Sequence, residues 1–568
     1  MPAQSDLSTR ETSIVRAALV LVGGTSLLFF LISFLTGETF RPSTQRGLIL
    51  VAVGTAGVAI VGAAFQTRLA HTLKAVREDI GEQHQRFAAY LHSRPISQAD
   101  LWALTGLMLV GMLLRGLFVT QPIRTDEAVT YLHYASRSLP LALSNYSAPN
   151  NHLLHTFFAW VSVHVLGSTE ITLRLPAFVM GVLLIPVTYG VGCGLANRRA
   201  GLLAAGLVAV SSALIEYSTN ARGYTLQCVL FGVSIIVASK TRHSLSPTRW
   251  GLLGLVLALG FFTVPTMLYA FGGLMLWLLL EIVRNRTTKS WAEYMKPLQA
   301  WLICGFSTVF LTFLFYTPVL IVSGLSAVTA NQYVQPFTFD VFLQHLPKAA
   351  TNLWAHWHTS IPTPIAALLG VSALIGLARG QHGRVQLLIS CAIFSMAVLC
   401  FQRVIPFERS WLPFLPLYFV SAAAGLVWLW DRWARQQAWI GWLISALMIV
   451  GLGANIIITR SPYLSIETGT FRDAKAIVQD LQTLLQPGDR VVLEHPSGDS
   501  LAYYASQVGL DWVAYAEGHN TLYVVINTEY PQTLESVARL NWVALDQYTA
   551  TTIRTYPQGA LVRVEPLP

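Results

Sequence analysis

Apolar runs of about twenty residues recur along this chain, from near its start to beyond residue 450, and no other feature limits its fold as strongly. A run of that length with few charges crosses a bilayer as a helix, because in hydrocarbon every backbone N–H and C=O must be satisfied within the segment. Hydrophobic residues make up 54% of the chain and charged residues 11%, against roughly 25% charged in an ordinary soluble domain. One water-soluble core cannot hide that much apolar surface, so the chain reads as an α-helical polytopic membrane protein. The net charge of +9 fits basic loops left on the cytoplasmic side and does not suggest a nucleic-acid partner. Cys193, Cys228, Cys304, Cys391 and Cys400 all fall in apolar spans, so no disulfide framework is indicated. The first run, 17–35, follows Arg10 and Arg16 without a small-residue cleavage site and reads as an anchor.

Runs 17–35 and 47–65 form a hairpin of two spans, followed by a charged helical stretch over 67–94 with Arg68, Lys74, Arg77, Arg86 and Arg94. Those charges place the stretch in the cytoplasm, as a helix docked on the protein, a helix at the membrane surface or a short coiled coil. Run 101–120 then leads outward to residues 123–135, where Asp126 and Glu127 stand side by side. The apolar segment 151–166 is short and holds His152, His155 and His164, so it reads as a helix at the external interface. Further spans follow at 174–194, 200–217, 223–239, 250–266, 268–284, 298–320, 361–378, 384–402, 409–430 and 437–457, about thirteen in all. With this count the basic loops at 198–199, 240–249, 284–296, 379–384 and 431–435 all come out cytoplasmic. Outside lie the acid pair, a long loop over 323–360 and everything beyond Arg460. From residue 461 the pattern changes to helices over 471–485, 499–507 and 532–540 alternating with strands at 490–493, 522–526 and 560–564, a small extracytoplasmic α/β domain. The expected parts are thus 1–98 (hairpin plus cytoplasmic helix), 99–460 (membrane body) and 461–568. No P-loop or GxGxxG follows a strand, so nothing asks for a nucleotide.

Acids at a membrane exit need a reason. A carboxylate held at a low-dielectric rim, such as Asp126, is a candidate general base, with Arg124 or Glu127 tuning it. The competing reading is that the pair only favours the N-terminus of a helix beginning near Ala128. Arg222, Arg403 and Arg409 lie on the same expected face, against the positive-inside trend, and a guanidinium there suits a phosphate. Their alternatives are a salt bridge to an acid such as Glu216 or Glu408, or contact with lipid head groups. His152, His155, His356 and His358 raise the thought of a divalent metal, but no cysteine or acid completes a ligand set, so no cofactor is expected. Tyr333, Trp354 and Trp357 in the outer loop suit sugar stacking or an ordinary interfacial belt equally.

The order of motifs adds to this. An apolar span, the external D-E, A-P-N-N-H-L-L-H-T, R-L-P-A-F-V-M-G-V, the basic turn A-N-R-R-A-G-L-L-A-A and S-T-N-A-R-G-Y-T-L together resemble the GT-C membrane glycosyltransferases. Within that group the protein O-mannosyltransferases and lipid A aminoarabinose transferases look most alike. The resemblance runs from about 101 to 240, continues weakly to E-R-S-W-L-P-F-L-P-L-Y at 408–418, and leaves out 1–95. It implies a sugar moved from a polyprenyl-phosphate donor to an extracytoplasmic glycan, lipid or protein at the plasma membrane, usually with inversion. The family's catalytic aspartate corresponds to Asp126, with Glu127 beside it, and its phosphate-holding arginines to Arg222 and Arg409, with Arg403 a further candidate. Arg124, Asn151, His152 and Tyr224 complete the expected substrate contacts, although Asn150-Asn151-His152-Leu153 departs from the family's H-P-P-L-like pattern. Two rival functions remain, a transporter or flippase of lipid-linked sugars and a non-catalytic glycan-binding relative. No internal repeat of the transporter kind is present, and the charges gather at the rim rather than the midplane.

Overall fold

The computed structural model of the protein describes residues 3–35, 42–64, 66, 70, 74, 97–242, 245–284, 291–329, 335–380, 382–433, 437–510 and 521–567. The charged stretch expected over 67–94, apart from Ala70 and Lys74, and Tyr333 lie outside the described residues.

Every expected span is helical, although 200–217 is split between two helices and 409–430 begins with the 3-10 turn Glu408–Phe414 before the helix Leu415–Trp433. Among the described residues eight helices are long and apolar enough to cross a membrane, or nine if one bent pair is a single span. That pair is Arg198–Ala209 and Ser212–Ser218, which meet at 61° inside the run that reads in sequence as one span over 200–217. The Leu153–Leu166 helix has 14 residues, about 21 Å of rise, too short to cross.

A break in an apolar bundle orphans the last carbonyls of the first half-helix. Arg115, fully buried on the Gln98–Gly116 helix, fills this one. Its Nη1 donates to the Gly111 and Ala209 carbonyls at 3.0 and 3.2 Å, and its Nε to Ser218 Oγ at 3.0 Å. A cation is also favoured at a helix C-terminus by the helix dipole. The break therefore has its own plug, and the second half-helix carries Glu216, Tyr217 and Ser218 toward one end of the bundle.

Elsewhere the bundle is packed by large apolar groups, with Leu184, Ile185, Leu214, Phe231, Trp277, Leu415 and Phe419 all buried in one cluster. The Thr363–Ala378 and Leu415–Trp433 helices meet at Gly376 and Gly425, where any Cβ would run into the opposing backbone. Small residues at a crossing let two backbones approach, a common basis of helix association in lipid. The N-terminal hairpin, Ala3–Leu35 and Pro42–Ala64, packs on the Trp291–Val322 helix. Its Val51 shares a cluster with Tyr146, Leu153, Tyr316 and Val319, so the hairpin backs the loop that leads into His152.

The C-terminal part holds a four-stranded sheet: β1 (Arg490–Val492), β2 (Leu522–Asn527), β3 (Tyr548–Tyr556) and β4 (Gly559–Pro566), in the order β1-β2-β4-β3. β1 and β2 are parallel, and the other pairs antiparallel. Helices Ala474–Leu484 and Ser497–Gln507 cover it on one side. Ile123, Ala128, Leu173 and Ala221 from the membrane body join Phe471, Ile477, Leu501, Tyr504 and Val525 in one buried cluster. The small sheet is therefore fused to the segment that carries Asp126.

Candidate active site

Asp126 lies in the short helix Thr125–Val129, and its surroundings divide into a buried clasp and an open side. Glu127 belongs to the clasp. Arg174 grips it with Nε and Nη2 at 2.7 and 2.6 Å, and the amides of Ala221 and Arg124 donate to it at 2.7 and 3.0 Å. Both partners are fully buried. All the strong acceptor positions of this carboxylate are used, so Glu127 sets the shape of the loop and does not reach into the site. Arg124 is similarly committed, with Nη1 on Glu216 at 2.9 Å and Nη2 on the Pro462 carbonyl and Gln121. Glu216, an alternative partner expected for Arg222, Arg403 or Arg409, pairs with Arg124.

The backbone of the helix is tied to the chain that enters the C-terminal part. The amides of Thr125 and Asp126 donate to the Gly469 and Thr468 carbonyls at 3.0 and 3.2 Å. Asn150 Nδ2 donates to the Asp126 carbonyl at 3.0 Å. The Asp126 side chain is left 26% exposed, and its Oδ2 lies 3.7 Å from Arg222 Nη2. That distance is an ion pair but too long for a hydrogen bond, so lone pairs remain available.

Arg222 is 3% exposed and is held by Nη1 on the carbonyl and side-chain oxygens of Asn150. Its Nη2 lies 3.2 Å from His152 Nε2. His152 Nδ1 accepts the Gly223 amide at 2.8 Å, which places the proton of a neutral imidazole on Nε2. Burial, then the charges of Arg222, His155 and Arg409, hold His152 well below the usual histidine range, so it is neutral. Two donors, Nε2–H and the Arg222 guanidinium, then face each other, and an acceptor between them relieves the conflict. Gly223 makes the approach feasible, since a Cβ there would sit 3.1 Å from the imidazole.

The line continues through Tyr224, whose ring meets His152 edge-on at 4.9 Å and whose hydroxyl accepts from Arg409 Nε at 3.1 Å. Arg409 stacks on Phe407 and lies 3.5 Å from Glu467, which is equally far from His356 Nδ1. His356 stands on the Phe339–Trp357 helix within the 323–360 segment. Asp126, Arg222, His152, Tyr224 and Arg409 thus form one contiguous row.

Besides Arg124, two expected contacts fall outside it. Arg403 is exposed, in left-handed backbone at φ 53°, and among the described residues no contact joins its side chain to the row. Asn151 points into its own loop, donating to the Ala142 and Asn145 carbonyls at 2.9 and 2.8 Å. Among the described residues no group of three or more histidines, cysteines and acids is close enough to hold a metal.

Three residues escaped sequence reasoning. Arg174 sits in the quoted R-L-P-A motif, and a charge inside a span was the available signal. Glu467 and Asp499 lie in the polar C-terminal part, where acids are ordinary. Asp499 lies in the first turn of the Ser497–Gln507 helix with its carboxyl pushed up by burial, against the influence of His133 and His495 and with that of Asp126.

Residues 149–316 match the family model of dolichyl-phosphate-mannose-protein mannosyltransferases. The match takes in His152, Arg222 and Tyr224 and stops short of Asp126 and Arg409. No curated protein matches the chain. Among solved structures, ArnT from Cupriavidus metallidurans in the apo state is similar with a TM-score of 0.52 at 11% identity, over 82% of this chain and 97% of that one. The same protein bound to undecaprenyl phosphate gives 0.51 at 10%, over 82% and 98%. The Archaeoglobus fulgidus oligosaccharyltransferase gives 0.46 at 12%, over 81% and 72%. The protein is a multi-pass membrane protein with the GT-C fold of membrane glycosyltransferases.

Proposed function

We propose that the protein transfers a sugar from a polyprenyl-phosphate donor to an acceptor on the extracytoplasmic side of the plasma membrane, with Asp126 as general base. The carrying observation is the row itself: a partly exposed carboxylate, Asp126, beside donors from the buried Arg222 and His152 and the partly buried Arg409. The donors suit a phosphate, and the carboxylate suits a hydroxyl. As the acceptor oxygen attacks the anomeric carbon, its proton passes to Asp126 and the sugar–phosphate bond breaks. The electron pair leaves on the phosphate, where the arginines and the His152 Nε2–H stabilise the growing charge. The lipid tail, held in the bilayer, contributes positioning. Arg124, Glu127 and Asn151 act as positioning residues. ArnT, bound to undecaprenyl phosphate in one structure, supports a lipid-phosphate ligand for this fold.

In this reading the hairpin at the start of the 1–98 part buttresses the membrane body, 99–460 bear the donor site, and 461–568 close over the Asp126 segment. A flippase would need a path through the bundle, and the break at 209–212 is plugged by Arg115, so transport is the weaker reading. Purified protein, offered radiolabelled polyprenyl-phosphate sugars, is expected to transfer or release label. Asp126→Asn is expected to lower that rate by about 10²–10⁴. Full activity in that variant would reduce Asp126 to a helix-end residue.

A further inference from the structure

Glu467 stands out among the acids around the site because almost nothing holds its side chain. Its neighbours are firmly fixed. Thr468 Oγ1 accepts from Arg124 Nη1 at 3.3 Å and from Asn220 Nδ2 at 3.0 Å, and the Thr468 and Gly469 carbonyls take the amides of Asp126 and Thr125. Thr470 Oγ1 donates to Glu529 at 2.6 Å. Among the described residues Glu467 itself has only Arg409 Nη1 and His356 Nδ1, each at 3.5 Å, and both its carboxylate oxygens are shielded from solvent without a hydrogen-bond partner. Glu127, in the same molecule, receives four hydrogen bonds of 2.6–3.0 Å. A shielded carboxylate without hydrogen bonds bears a large part of its desolvation cost uncompensated.

Its neighbours, by contrast, have unused polar groups. Among the described residues His356 Nε2 and the Tyr217 hydroxyl, whose rings meet at 6.1 Å, are buried without a hydrogen-bond partner, and so, further along the row, is Arg222 Nε. One carboxylate with two oxygens cannot serve groups on that many sides. A phosphate, with more oxygens and more charge, matches the set better. The backbone at 468–470 is anchored, so a side-chain rotation alone removes the Glu467 carboxylate and leaves the Asp126 segment undisturbed.

We propose that Glu467 is a resident counter-anion: it occupies the Arg409–His356 subsite in the empty protein and is displaced by the phosphate of a polyprenyl lipid. This rests on the donor reading above and adds to it a residue outside the matched family region. Return of the carboxylate after transfer then competes with the polyprenyl phosphate left behind and promotes its release.

The test is the affinity of detergent-purified full-length protein for undecaprenyl phosphate. Glu467→Gln removes the competing charge and is expected to tighten binding about tenfold, as when a binding-competent fraction of about one-tenth limits the apparent affinity. Glu467→Asp, which keeps the charge but draws it back from Arg409, is expected to fall between the two and serves if the glutamine variant does not fold. A purely structural Glu467 predicts the opposite, a lower melting temperature with equal or weaker binding, and that result in either variant overturns the inference. Wild-type protein that binds no undecaprenyl phosphate overturns the donor reading and the inference together. Binding that ignores residue 467 removes the inference alone.

Discussion

Asp126 and Glu127 are adjacent in sequence and opposite in environment, and the difference decides what each can do. Glu127 faces inward to Arg174, with both side chains fully buried, while Asp126 keeps a quarter of its surface open. Breaking a buried pair on one side leaves an uncompensated charge, which costs about 3–5 kcal/mol. Glu127→Ala is therefore expected to lower the melting temperature sharply, whereas Asp126→Asn leaves it near wild type and removes turnover. Replacing both partners with apolar residues, as in Glu127→Leu with Arg174→Met, is expected not to recover the lost stability, measured by thermal unfolding in detergent, because the Ala221 and Arg124 amides and the Val119, Gln121 and Pro122 carbonyls then lose their partners. A stable but inactive Glu127→Ala protein would instead return Glu127 to the catalytic role suggested by the sequence. Adjacency made the pair visible, but a sequence does not say which of two neighbours a helical turn buries. The same holds for Arg124 and Asn151, whose residue types suit ligand contacts and whose side chains are spent on Glu216 and on loop carbonyls.

At the level of elements, spans were legible because hydropathy reports directly on a segment that must satisfy its own backbone in lipid. The break at 209–212 was not, because the V-S-S at 210–212 holds no proline or glycine and the residue that stabilises the kink, Arg115, is about a hundred positions away. β3 was missed for a related reason. It is an edge strand, exposed along nearly all its length, so no alternation of apolar residues marks it. The Arg115 plug has a consequence for the site, because the half-helix it fixes ends just before Asn220 and Arg222. Arg115→Met leaves the Val208 and Ala209 carbonyls and Ser218 without their donor, each costing about 1–3 kcal/mol if unsatisfied. Turnover is expected to fall with a raised KM for the lipid donor, since Arg222 loses its support. An unchanged KM with only a lower melting temperature would limit Arg115 to stability.

For the whole molecule, the question is whether the polar C-terminal part is an appendage or a structural wall of the site. The composition change at residue 461 invites a division into separate domains, and the buried cluster that joins Ile123 and Ala221 to Phe471 and Tyr504 crosses that line. Backbone hydrogen bonds from Thr125 and Asp126 to 468–469 cross it too. Two parts that share a core unfold together, and the cysteines offer a way to watch this. Cys228, Cys304 and Cys391 are buried in the bundle, and the sequence beyond residue 461 has no cysteine, so thiol labelling during heating reports on the membrane body alone. Phe471→Ala removes a fully buried ring from the shared cluster, at a cost of about 3–5 kcal/mol. If the parts are one cooperative unit, labelling of the bundle cysteines begins at a lower temperature in this variant, although the substitution lies far along the chain from all of them. If the C-terminal part melts alone, the labelling curve is unchanged while that part loses its own structure first. The shared core predicts the former, together with a loss of transfer activity, because the same contacts that stabilise the cluster hold the Asp126 segment against residues 468–469.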